Sequence, residues 1–295
     1  MEKINNFSQV EEKIEQKNII DWETNFQVQN ILKMESRNLN YQEITQNLVS
    51  QLQEYLENSK QNWFTLWVSG GIDSAVVSTL AALSGAQTLV MDLPIHQQED
   101  EVNRASDHMD WLQENFENIE RKSIDLTEVF EAFKQVLPEV ENKQGRYMAE
   151  VNTRSRLRAN ALYAQWNEKW YLVVGTWNKV EDYGIGFFTK FGDWAVDLSP
   201  IGSLYKSEVY ALAKHLGIIK SIVGARPTDW LHPDGATDED QIWATYDELE
   251  WAMVEYDNGK RKEDFTGRDY KVMEIYSHRH EINEHKMKMP PVFQI

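Results

Sequence analysis

Between residues 64 and 175, short apolar runs alternate with helical stretches, and no other feature narrows the choice of fold so far. The runs F-T-L-W-V (64–68), T-L-V-M-D-L (88–93), R-K-S-I-D-L (121–126) and Y-L-V-V-G (171–175) are of strand length. The stretches 75–83, 100–116, 126–137 and 149–169 between them carry helical spacing, with a polar connection over 138–148. Parallel strands need crossover connections of roughly a dozen residues or more, and helices supply them. The pattern predicts an α/β fold: a three-layer, doubly wound parallel sheet of about five strands.

Ahead of the sheet, Ile44, Leu48, Leu52 and Tyr55 recur at helical spacing, which predicts an amphipathic helix from Tyr41 to about Asn58. Residues 1–40 are polar and rich in Glu, Asn and Gln, and read as an N-terminal extension to a single domain over 41–295. After Gly175 a glycine-bearing stretch, 176–203, has no clear periodicity; a loop of that length inside a compact domain is usually functional. Helices resume over 206–216, 238–256 and 270–285, the second opening on the acidic run D-E-D (238–240), which suits a helix N-terminus.

Charge and cysteine content exclude whole classes of partner. The chain has 30 basic and 48 acidic residues, a net charge of −18, so neither nucleic acid nor an anionic membrane is expected as its main partner. Any phosphate-bearing ligand is then small and held locally. There is no cysteine, which removes disulfides, cysteine-ligated zinc and cysteine nucleophiles together. With no basic and apolar leader and no run of about 18 apolar residues, a cytoplasmic location is expected.

The loop W-V-S-G-G-I-D-S (67–74) joins the first strand to a helix. Ser69, Gly70, Gly71, Ile72, Asp73 and Ser74 would place backbone N–H groups at a helix N-terminus, where partial positive charge favours an anion. The lysine of G-x-x-x-x-G-K-[ST] is absent, and Asp73 stands where a phosphate would repel it. A magnesium ion resolves the conflict, since it takes one or two carboxylates along with phosphate oxygens. The same residues also suit a plain tight turn with Asp73 capping the helix.

S-G-G-I-D-S is the signature of ATP pyrophosphatases, and from about residue 42 onward the chain resembles the ammonia-dependent NAD synthetases. The resemblance is carried by N-T-R-S-R-L-R (152–158), residues 175–193 from G-T to F-G-D, V-D-L-S-P-I (196–201), P-T-D (227–229), T-D-E-D-Q-I (237–242) and E-H-K-M-K (284–288). It implies the Rossmann-like fold of the adenine nucleotide alpha hydrolases and a homodimer with the dinucleotide near the subunit interface. It also implies a magnesium ion shared by Asp73 and Glu181, with ATP contacts at Ser69 through Ser74, Thr176, Lys206 and Thr228. Deamido-NAD would meet Arg156, Lys190, Asp197, His285 and Lys286, and Asp193 would handle incoming ammonia; Arg154 and Arg158 read as surface charges. The implied reaction adenylates the nicotinate carboxylate with ATP, releases pyrophosphate and displaces AMP with ammonia. Free ammonia is the expected nitrogen source, because there is no cysteine to serve a glutaminase.

Five positions depart from that pattern. Trp67, Trp177, Trp194, Trp230 and Trp243 stand where such synthetases usually carry glycine. Where such a glycine sits at positive φ, an indole-bearing residue costs on the order of 1–2 kcal/mol in backbone strain. Either the indoles turn outward or stack on a ligand ring, or they fill the substrate site. Two alternatives therefore stand beside the synthetase: an ATP pyrophosphatase acting on another acceptor, and a nucleotide-binding relative with impaired catalysis.

Overall fold

A computed structural model describes residues 37, 39–138, 142–225 and 238–294. The expected extension over 1–40 therefore lies almost wholly outside the described residues, as do Thr228 and Trp230. The sheet contains β1 (Trp63–Trp67), β2 (Gln87–Asp92), β3 (Ile119–Ser123) and β4 (Tyr171–Val173), in the order β3-β2-β1-β4 and parallel throughout. A parallel bridge between Val174 and Leu198 lies just past the end of β4. The described sheet thus has four strands and one isolated bridge where about five strands are expected.

Side chains alternate across this sheet as the pleat requires. Phe64 and Leu66 of β1, Val90 of β2 and Leu172 of β4 enter one buried cluster. It also takes in Val49 and Leu52 of α1 (Tyr41–Ser59), Val76 and Leu80 of α2 (Ile72–Leu83), Met109 and Leu112 of α3 (Glu99–Asn115), and Val209 and Leu212 of α6 (Lys206–His215). Leu89 and Met91 of β2 and Tyr171 and Val173 of β4 point the other way, onto Phe130 of α4 (Thr127–Val136) and Leu162 of α5 (Lys143–Lys169). Each fully buried Leu or Phe contributes about 1.5–3 kcal/mol of apolar transfer. The three layers expected from the sequence are present.

Several boundaries differ from expectation, three of them with a visible cause. Strand β3 starts two residues before R-K-S-I-D-L, because Ile119 already pairs with Thr88, while Ile124 and Leu126 continue as a connection hydrogen-bonded to Asp92 and Pro94. Helix α5 starts at Lys143, inside the expected polar connection, with Asn142 accepting from the Gly145 N–H at 3.0 Å. The helix expected over 238–256 is two helices, α8 (Asp238–Ile242) and α9 (Tyr246–Asp257), after the short α7 (Lys220–Val223). The break falls at Trp243, whose φ is 69°, and Thr245 then opens α9 through a reciprocal capping box with Glu248.

The stretch 176–203 is not wholly irregular: Lys179–Gly184 forms a π-helical turn. A second apolar cluster joins Val180 and Ile185 to Leu249 and Met253 of α9 and to Val272, Met273 and Tyr276 of α10 (Gly267–Asn283). Gly184 packs closely there, since a Cβ on it would lie 3.3 Å from the Tyr276 ring. The C-terminal helices thus clamp the segment that follows β4. No helix among the described residues is long and apolar enough to cross a membrane.

Candidate active site

The chain runs from β1 to β2 on one side, while β4 lies on β1's other side. Connections that diverge in this way leave a crevice beyond the carboxyl ends of the strands, the usual ligand position in open α/β sheets. The loop after β1 and the segment after β4 both open into it. Gly70 has φ 82°, and a Cβ there would fall 2.8 Å from the Glu101 carbonyl oxygen, so only glycine allows the loop to pass so close to α3. The loop is tied by its hydroxyls: Ser69 N–H donates to Ser74 Oγ (3.1 Å), Gly71 N–H to Ser69 Oγ (3.2 Å) and Ser74 Oγ to the Gly71 carbonyl (3.0 Å). Helix α2 begins directly after Gly71, with Asp73 in its first turn.

Asp73 and Glu181 come together across the crevice, both holding one ammonium. Lys206 Nζ, at the start of α6, lies 2.5 Å from Asp73 Oδ2 and 2.9 Å from Glu181 Oε1. Asn178 is fully buried and donates from Nδ2 to Glu181 Oε2 (2.5 Å) and Asp73 Oδ1 (3.3 Å). Burial pushes the Asp73 carboxyl up, Lys206 opposes the shift and the Glu181 charge adds to it. Against its own burial, the two carboxylates hold Lys206 well above the ordinary lysine range. Two carboxylates this near each other repel, and the ammonium between them offsets that repulsion.

The π-helical turn sets this geometry. Asn178 Oδ1 accepts the Glu181 N–H (3.0 Å) while the Asn178 N–H donates to Asp182 Oδ2 (2.9 Å). Asp182 faces inward, where burial and then the Glu181 charge raise its carboxyl well above the usual range. Extra backbone in a π-turn is a frequent feature of functional sites, and here it turns Glu181 toward Asp73.

The residues expected at the acceptor form a second group beside the first. Arg156 Nε donates to the Lys190 carbonyl (3.2 Å), and Lys190 Nζ to the His285 carbonyl (2.9 Å). Lys286 Nζ donates to the carbonyls of Gly186 (2.6 Å) and Phe188 (2.8 Å). Asp193 accepts from Ser155 Oγ (2.5 Å) and the Thr189 N–H (3.0 Å). Asp197 stands apart from this set: its carboxylate accepts the Val173 N–H (2.7 Å) and the Tyr163 hydroxyl (3.3 Å), so it secures the end of β4. Thr176 follows Gly175 and directly precedes the aromatic residues of the site.

Those aromatics form a stack of three rings. Trp177 and Trp194 lie parallel at 4.2 Å between centroids, Trp194 and Phe188 at 4.6 Å, and Tyr183 meets both indoles edge-on at 6.1 and 5.8 Å. Trp177 Nε1 donates to the Asp193 carbonyl (3.0 Å), so the stack adjoins the acceptor group, while Trp177 directly precedes Asn178, which bonds both carboxylates.

Asn178 and His108 were not singled out by sequence reasoning, and Arg158 was read as a surface charge. Asn178 was detectable, because N-K-V-E has the spacing of a capping box. Arg158 is no surface charge: it is 3% exposed, donates from Nε to the Leu93 carbonyl (2.9 Å) and stacks 4.3 Å over Trp67. Burial lowers its guanidinium to about 9. His108, fully buried in α3, pairs through Nε2 with Ser78 of α2 (2.9 Å), and burial drives it down to about 3, so it is neutral. Arg154 likewise covers the Phe130 ring at 5.3 Å.

The family model described as NAD synthase matches residues 44–290. The NH(3)-dependent NAD(+) synthetase of Methanosarcina mazei is 36% identical over 234 residues, covering 76% of this chain and 87% of the relative. Among solved structures, an NMN synthetase from Francisella tularensis is similar at a TM-score of 0.75 and 31% identity, covering 88% of this chain and 100% of that one. The NH3-dependent NAD synthetase of Campylobacter jejuni is similar at a TM-score of 0.69 and 26% identity, over 87% of this chain and 100% of that one.

Proposed function

The chain belongs to the NAD synthase family, and from that membership we propose that it amidates deamido-NAD with ammonia at the expense of ATP, giving NAD, AMP and pyrophosphate. One observation carries the reading: Asp73, Glu181 and Lys206 converge at the end of the S-G-G-I-D-S loop. Hydroxide is too poor a leaving group for direct amidation of a carboxylate. The nicotinate carboxylate therefore attacks the α-phosphorus of ATP as the bond to pyrophosphate breaks; ammonia then adds to the acyl carbon, AMP leaves and a proton is lost.

The donor set fits magnesium. Asp73 and Glu181 are hard oxygen ligands that already share one cation, the Lys206 ammonium, and together with phosphate oxygens they make up a usual magnesium environment. When bound there, magnesium neutralises charge developing on the triphosphate. The chain's own residues do the rest. The loop from Ser69 to Ser74 would cradle phosphates, Lys206 would turn from the carboxylates to the pyrophosphate oxygens, and Thr176 and Thr228 would contact ATP. Arg156, Lys190, His285 and Lys286 would hold the acceptor's phosphates and ribose, and Asp193 would orient ammonia. Asp197 would reach the acceptor only by releasing its bond to the Val173 N–H. A homodimer completes the reading, with the acceptor near the subunit interface.

The similarity to an NMN synthetase favours one further reading, in which the acceptor is the mononucleotide of nicotinate. Both acceptors present the same carboxylate, so the chemistry is unchanged. The test is incubation with Mg-ATP, ammonium and each acceptor in turn. NAD and AMP in equal amounts from deamido-NAD is the expected result. Faster turnover of the mononucleotide would transfer the assignment to that acceptor, and AMP release without either amide would overturn both.

A further inference from the structure

Two tryptophans occupy backbone positions that favour no side chain. Trp170 follows the end of α5 with φ 60°, and Trp243 follows α8 with φ 69°. The residue after a helix in left-handed conformation is most often glycine, and for a bulky aromatic this conformation is an outlier. Lys60, His96 and Phe191 also have positive φ, so the dihedral alone does not separate the tryptophans. Nor does exposure, since Phe191 is 62% exposed beside 57% and 76% for the two indole residues; what Trp170 and Trp243 combine is a bulky ring, left-handed backbone and a position directly after a helix.

Trp177 and Trp194 raise a different conflict. Their stack with Phe188 lies against Asp193 of the acceptor group, and Trp177 directly precedes Asn178, the donor to both Asp73 and Glu181. Trp194 Nε1 is buried without a hydrogen-bond partner, a costly arrangement for an indole. Trp111 and Trp251 behave as packed tryptophans normally do. Trp111 stacks on His108 at 5.5 Å and meets Phe116 edge-on, and Trp251 meets Phe265 edge-on at 5.0 Å.

We infer that residues 170, 177, 194 and 243 are glycine in the working protein: two because the backbone is left-handed there, and two because, on the proposed amidation, indoles against Asp193 and Asn178 obstruct the acceptor. The route is the codon UGA, which different lineages read as stop, tryptophan or glycine. A chain translated with tryptophan at UGA then carries indoles that its own cell never inserts. Glycine at 177 and 194 opens the acceptor half of the crevice and leaves the metal-binding carboxylates untouched.

The gene and the native protein decide this directly. UGA at codons 170, 177, 194 and 243 with UGG at Trp111 and Trp251, and glycine at the first four positions in tryptic peptides from the source cell, is the expected result. UGG at codon 177 or 194, or tryptophan in those peptides, overturns it. Neither readout depends on the amidation reading. A second arm does rest on that reading and compares the tryptophan chain with a variant carrying Trp170→Gly, Trp177→Gly, Trp194→Gly and Trp243→Gly. The variant should gain about 100-fold or more in kcat/KM for deamido-NAD, the scale expected when a misplaced reactant is allowed into position. Its urea midpoint should be no lower than the parent's. A glycine form that folds and binds Mg-ATP but amidates nothing counts against the amidation reading, while one slower than the tryptophan chain counts against this inference.

Discussion

Lys206 is the residue on which the charge balance of the site turns. It is 4% exposed, and its ammonium is the cation shared by Asp73 and Glu181. Removing one partner of a buried ion pair leaves uncompensated charge, which costs about 3–5 kcal/mol. Lys206→Met keeps the side chain's length and removes the charge, so urea denaturation should show a loss of about 3 kcal/mol. Magnesium should return part of that loss, because a ligand that binds only the folded state stabilises it by mass action. A variant as stable as its parent, and indifferent to magnesium, would show that the lysine balances nothing. ATP turnover should fall in the same variant, since no other described cation bridges these carboxylates.

At the scale of elements, the strand–loop–helix unit of β1 and α2 was legible because its chemistry is local. Two glycines, two hydroxyls and an aspartate at fixed spacing say what the backbone does there. Gly70→Ala tests that locality. At φ 82° and with a Cβ 2.8 Å from the Glu101 carbonyl oxygen, the variant should lose on the order of 2 kcal/mol of stability and bind ATP more weakly. An unchanged urea midpoint and KM for ATP would mean that the loop tolerates a side chain. The turn after β4 was much less legible. N-K-V-E suggests a cap, yet nothing in those residues announces a π-helical turn that directs Glu181 at a carboxylate 108 positions earlier in the chain. Asn178→Ala should cost about 1 kcal/mol as a lost cap. Its effect on turnover should be larger than its effect on stability, because both carboxylates lose a donor. Equal stability and full activity would show that the turn holds itself. The broken helix at Trp243 was illegible for another reason: D-E-D-Q-I-W-A-T-Y has unbroken helical spacing, and only the left-handed φ ends α8.

Over the whole molecule, helix α9 acts on the site through a buried carboxyl. Glu250 of α9 accepts from Ser207 N–H (2.9 Å) and Ser207 Oγ (2.6 Å), locking α9 to the first turn of α6, one residue from Lys206. It is 1% exposed, and burial raises its carboxyl to about 7, although the bonds from Ser207 oppose the shift. A carboxyl raised in the folded state binds its proton more tightly there than in the unfolded chain, so its contribution is fully present below the unfolded value of 4.5 and is lost as pH rises through about 7. Glu101 of α3, raised to about 7 mainly by burial, acts in the same direction over the same window. His108, held down near 3, acts in the opposite one: the unfolded chain takes up its proton first, so stability falls as pH drops below the ordinary histidine value of 6.5. The three overlap in any single profile, and a difference between two chains isolates one of them. Relative to Glu250→Gln, the parent should lose on the order of 2 kcal/mol of unfolding free energy between pH 5 and pH 8. Urea midpoints across that range measure it. Parallel profiles for the two chains would mean that the Ser207 bonds keep Glu250 ionised throughout, and that α9 is held to α6 by a charge rather than by a proton.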